Sequence, residues 1–119
     1  TIVMTGSIAV NVVEAVDLLA ERGIEARLVG MPTVNPLDRA LIEESAQKTG
    51  TIVTVEEHYV VGGLGTMLQE AVNEGTMVPV QKLGIPHDYA TSGPYQPLLA
   101  HYGLDGKGIA DSVEAFVKK

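Results

Sequence analysis

A chain of 119 residues has room for one domain, which should bury roughly two-thirds of the surface its unfolded form exposes and so supports one ordinary core. It contains no cysteine, which excludes disulfides, thiolate metal sites and a cysteine nucleophile. A formal net charge of −7, with eight Lys and Arg in no basic run, makes nucleic acid and anionic membrane surfaces poor partners, and no apolar stretch approaches the ~20 residues of a membrane span.

The chain enters strand-like sequence at Thr1, with no initiator methionine, and reads as an excised piece of a longer protein in which residues 1–119 form a single domain. No leader pattern is present, so a cytoplasmic location is the default. TIVMT (1–5) is short, apolar and β-branched and predicts a buried strand. From Ile8, the stripe Ala9, Val12, Val13, Val16, Leu19 and Ala20 predicts a helix, with Asn11, Glu14, Asp17 and Glu21 on its solvent face. Ser7 is a candidate N-cap, and Gly23 suits the left-handed position that ends a helix.

IEARLVGM (24–31) predicts a second strand. In PTVNPLD, Asn35 can cap a helix whose first residue is Pro36, with Asp38 reaching back toward the cap. That helix should close near Gly50. TIVTVE (51–56) predicts a third strand leading through a glycine cluster into a helix with Leu64, Met67, Leu68, Ala71 and Val72 on one side, closed by Gly75. MVPVQKLG (77–84) predicts a fourth, and Pro79, lacking a ladder donor, places it at a sheet edge or a bulge. Beyond Ile85 a loop leads to a short helix begun by Ser92, Gly93 and Pro94. Asp105 then caps a last helix with Ile109, Val113, Phe116 and Val117 inward. Strands alternating with helices over short connections predict a mostly parallel sheet covered on both faces, with right-handed crossovers.

In open α/β sheets, sites gather outside the carboxyl ends of the strands. Here that edge collects Gly6 and Ser7, Met31 to Thr33, Glu56 to His58, and Pro86 to Asp88. Ser7, Thr33 and His87 are its candidate crevice residues. The edge is acidic, which argues against a phosphate cradle even though helix amides point there. Glu56 and Glu57, adjacent on a strand, should point to opposite faces, and no second histidine stands at ligand spacing, so a metal site is not expected. His58 beside two carboxylates would hold its proton more tightly than usual and could donate to a substrate or a partner chain. Gly63-x-Gly65 matches only the opening of a dinucleotide fingerprint. The plainer role of Gly62, Gly63 and Gly65 is to turn sharply and let the helix pack close. There is no nucleophile elbow around Ser7 or Ser92 and no P-loop.

TGSIAVNVVEAVDLLAERGIEARLVGMPTVNPLD followed by TIVTVEEHYVVGGLGTMLQEAV resembles the carboxyl-terminal domain of the transketolase superfamily, which includes transketolases, deoxyxylulose-phosphate synthases and the beta subunits of 2-oxoacid dehydrogenases. The tail GIPHDYATSGPYQPLLAHYG with LDGKGI is similar to transketolases, especially short or two-subunit forms. The resemblance implies a three-layer α/β/α fold with a mostly parallel, mixed five-stranded sheet, one strand antiparallel. It implies thiamine diphosphate and magnesium in the full enzyme but no cofactor contact from this domain, because the family's diphosphate motif is absent. It also implies a supporting role in a homodimer of the full enzyme, a two-carbon ketol transferase of sugar phosphates in the pentose phosphate pathway. Glu56, Glu57, His58, Tyr59, Gly62 and Gly63 would then face the remaining domains or a partner subunit, with Tyr59, Val60 and Val61 as an apolar patch. The alternatives are the same domain of a 2-oxoacid dehydrogenase beta subunit or a deoxyxylulose-phosphate synthase, and a free-standing ligand-binding or interaction module.

Overall fold

The computed structural model describes residues 1–31, 36–59, 62–85 and 95–119, with 58, 59, 95 and 96 described by their backbone alone. Strands and helices alternate as β1 (Ile2–Met4), α1 (Ala9–Glu21), β2 (Leu28–Gly30), α2 (Arg39–Thr49), β3 (Ile52–Tyr59), α3 (Leu64–Glu74) and β4 (Val80–Ile85), followed by α4 (Tyr95–His101) and α5 (Gly106–Val117). The four strands form one sheet in the order β2-β1-β3-β4, every neighbouring pair parallel. Each return to a parallel neighbour needs a helical crossover, which is why strands and helices take turns along the chain. A fifth, antiparallel strand is not among the described residues.

The pleat of each strand sends successive side chains to opposite faces, and two cores result. Ile2, Val53 and Val55 meet Ile8, Val12, Ala15 and Leu19 of the first helical segment and Ile109, Ala110 and Val113 of α5. Val3, Val29 and Ile52 meet Ile42 and Ala46 of α2 and Leu64, Leu68 and Val72 of α3 on the other side. The sheet is thus the middle of three layers. β4 is the outer strand of the described sheet, in keeping with Pro79: the Pro79 carbonyl accepts from the Ile52 amide, and the strand begins at the next residue.

The helix ends follow local chemistry. Gly23 sits at φ +81°, its amide donating to the Ala20 carbonyl while Ile24 donates to Leu19, a paired closure that a left-handed glycine permits. Gly103 closes α4 the same way, at φ +70°. Asp105 caps α5 by accepting from the Gly108 amide at 2.9 Å.

Several expectations are corrected. The second helix does not begin at Pro36 but at Arg39, and Asp38 is its N-cap, accepting from the Leu41 amide at 3.1 Å. A carboxylate is as good a cap as an asparagine, and it gains from the positive helix end. Ser7 is not the cap of α1. Ile8 holds that position without a side-chain bond, and the Ser7 hydroxyl donates to Glu57. On α1, Asn11 is buried while Val13 and Ala20 are exposed. The Asn11 amide nitrogen donates to the Leu104 carbonyl at 2.9 Å, which turns the helix so that a polar residue faces α5. Val117 is likewise exposed rather than inward. β2 is far shorter than residues 24–31, since its one described neighbour β1 offers three residues to pair. β3 runs past Glu56 to Tyr59, with an irregularity between Val55 and Tyr59 where β4 continues alongside.

Candidate functional site

The strand order locates the site. The chain leaves β1 through α1 toward β2, and leaves β3 through α3 toward β4 on the opposite side. Diverging connections open a crevice between adjacent strands at their carboxyl ends, the place where open α/β sheets bind ligands. Here it is a cleft of about 490 Å³ lined by Thr5, Gly6 and Ser7 after β1, by Glu56 and Glu57 of β3, and by Gly62, Gly63 and Leu64 where α3 begins.

The two glutamates take opposite roles because the pleat separates them. Glu56 shares the face of Ile52, which packs against α3, and is 2% exposed. Its Oε1 accepts from the Leu64 amide and its Oε2 from the Gly65 amide, both at 2.9 Å. The first turn of a helix leaves its amides without intrahelical partners and carries partial positive charge, so a buried carboxylate placed there is satisfied on both oxygens. The glycines make this possible. A Cβ on Gly63 would overlap the Glu56 carboxylate, and one on Gly65 would lie 2.7 Å from Thr54 Oγ1 and against the Lys82 stem. Gly62 turns the chain at φ +88°, its amide donating to the Thr66 hydroxyl at 2.9 Å.

Glu57 points to the α1 side, half-buried, and accepts from the exposed Ser7 hydroxyl at 2.5 Å. Residues fifty positions apart are thereby joined across the cleft. Among the described residues no Lys, Arg or His forms an ion pair with either glutamate. No group of three or more His, Asp or Glu that could hold a metal is found among them either.

Of the residues singled out in the sequence, Ser7, Glu56, Glu57, Gly62 and Gly63 therefore meet in one cleft. Thr33 and His87 lie outside the described residues, as do Val60 and Val61; for His58 and Tyr59 only the strand backbone is described. Thr5 and Leu64 complete the lining and carry no sequence signal of a site. A strand carboxylate followed at eight and nine residues by the first turn of a glycine-led helix is the pattern that marks Glu56 as a candidate partner of those amides.

The fold and the cleft define a parallel α/β domain whose two cleft glutamates take internal hydrogen bonds, Glu56 from the α3 amides and Glu57 from the Ser7 hydroxyl. The chain belongs to the transketolase C-terminal domain family: the family model "Transketolase, C-terminal domain" matches residues 1–109. It is 40% identical over its whole length to an apulose-4-phosphate transketolase subunit of Phocaeicola vulgatus, covering 38% of that protein. It is 41% identical over 98% of its length to 1-deoxy-D-xylulose-5-phosphate synthase 1 of Geobacter sulfurreducens, covering 18% of it. A solved structure described as a split gene transketolase, inactive beta4 tetramer, superposes with a TM-score of 0.90 at 40% identity, over 96% of this chain and 37% of that one. The chain thus spans well under half the length of the relatives it matches. No helix among the described residues is long and apolar enough to cross a membrane.

Proposed function

We propose that this chain is the assembly-supporting C-terminal domain of a thiamine diphosphate-dependent transketolase, inactive alone, within a protein that moves a two-carbon ketol unit between sugar phosphates and works as a dimer in the cytoplasm. The observation that carries the reading is the internal commitment of the cleft: Glu56 is held by the α3 amides and Glu57 by Ser7. Both carboxylates are thus bonded within the domain, which supports a structural rather than a catalytic role for them. The names of the relatives, one a transketolase subunit and one a split-gene transketolase in a tetramer, favour a part that works with other domains or subunits.

Thiamine diphosphate and magnesium belong, in this reading, to the other domains. The residues present here do not fit a diphosphate, since the amides of α3 already bind a carboxylate and Glu57 adds a second negative charge. The chain's own contribution is a rigid wall that places Ser7, Glu57 and the Gly62–Gly63 turn on one surface facing the rest of the enzyme. A deoxyxylulose-phosphate synthase is the second reading, favoured by the 41% identity to that enzyme. In it the domain keeps the same role beside a different reaction.

The test uses the complete protein that carries this domain. Transfer from xylulose phosphate to ribose phosphate is expected, and condensation of pyruvate with a triose phosphate in its place would establish the second reading. Glu57→Lys in that protein should weaken association while leaving the domain folded. Unchanged sedimentation and unchanged activity would remove the assembly role.

A further inference from the structure

We infer that the glycine turn and the first turn of α3 form an anion cradle that the chain keeps filled with its own carboxylate, which makes Glu56 the residue that closes the cleft to phosphate. A strand, a glycine-lined turn and a helix start are the parts from which phosphate sites are built, with backbone amides as donors and glycines so that the anion can come close. All are present at this edge: β3, the turn at Gly62 and Gly63, and an eleven-residue helix. An anion is also present. It is the Glu56 carboxylate, one oxygen on each of the Leu64 and Gly65 amides at 2.9 Å and 2% exposed.

The surroundings are shaped to that group. The space a Cβ of Gly63 would occupy is the space the carboxylate fills, so the glycine serves an internal anion rather than an external one. Two further features oppose a second anion: Glu57 lines the same cleft, and no lysine or arginine is among the described residues that line it. A free phosphate would have to displace a covalently tethered carboxylate, which binds without the loss of translational and rotational freedom that a dissolved ligand incurs. The inference holds whichever reaction the complete protein performs.

Glu56→Ala removes the atoms of an acetate ion, which suggests the experiment. Acetate should raise the Tm of Glu56→Ala by several degrees over chloride at equal ionic strength, and leave the unmodified chain unchanged. An equal response of both proteins would overturn the inference. In the unmodified chain, inorganic phosphate should leave the Leu64 and Gly65 amide resonances where they are, and a saturable shift of those two signals would show the cradle open. Should Glu56→Ala not fold, the isosteric Glu56→Gln presents an amide donor in place of one carboxylate oxygen. Hydrogen exchange at Leu64 and Gly65 should then quicken about tenfold relative to the later turns of α3, the equivalent of one lost hydrogen bond. Unchanged exchange would overturn the cradle.

Discussion

Glu56 and Gly63 depend on each other, and neither is replaceable alone. A methyl group at Gly63 would force the carboxylate off the α3 amides and leave buried donors unpaired, so Gly63→Ala should cost about 2–4 kcal/mol in urea unfolding. Gly62→Ala meets open space but must hold φ +88°, and should cost only about 1 kcal/mol. The comparison separates close approach from backbone strain. A second carboxylate is committed in the same manner. Glu43 of α2 accepts from the Thr76 amide at 2.9 Å and from the Thr76 hydroxyl, tying α2 to the turn that follows α3. The Thr76 hydroxyl first, then its amide, hold the Glu43 carboxyl below its ordinary value. A depressed carboxyl contributes stability that is present above the unfolded value and lost as pH falls through the folded one. Thr76→Val should therefore lower stability near neutral pH, and its curve should converge with that of the unmodified chain as pH drops below about 4.5. Parallel curves from chemical denaturation across that range would refute the linkage.

At the scale of elements, each helix is fixed by its ends and by one buried face. Asp38 satisfies the Leu41 amide at the start of α2, so Asp38→Ala should destabilise by about 1 kcal/mol, measured as a shift in urea midpoint at constant slope. The pairing of α1 with α5 is set by a polar residue. Asn11 bonds the Leu104 carbonyl just before α5, and Arg22 at the far end of α1 meets Asp111 at 2.9 Å. The two helices therefore run side by side in the same direction, and the face α1 buries is the one that lets Asn11 reach its acceptor. Apolar spacing predicts a stripe but not its rotation, which is why the stripe puts Val13 inside although it lies at 48% exposure.

For the whole molecule, the sheet couples two cores that share no helix. Leu19 belongs to one and Leu68 to the other, and both are fully buried. Either Leu→Ala change should cost about 3–4 kcal/mol. Because β1 and β3 contribute residues to both cores, each variant should still unfold in one transition by circular dichroism and by tyrosine fluorescence alike. Two separated transitions would mean that the layers fold independently. The same sheet order creates the cleft, since β1 and β3 stand side by side although α1, β2 and α2 lie between them in the chain.

The sequence alone determined the alternation of elements, the parallel sheet, the glycine closures after α1 and α2, the Asp105 cap and the opposite facing of Glu56 and Glu57. The closures, the cap and the opposite facing rest on spacing within a few residues, where backbone geometry leaves little choice, and the parallel sheet follows from the alternation of strands and helices. It also carried the family resemblance, through TIVTVEEHYVVGGLG and its neighbours. Tertiary structure decided the rest: which two strand ends form the cleft, the bond from Ser7 to Glu57, the turning inward of Asn11, and the use of the α3 amides by Glu56. These contacts join groups from eight to ninety-three positions apart. A polar side chain with both a local and a distant partner goes to the one that leaves fewest buried groups unsatisfied, and only the assembled fold sets that balance.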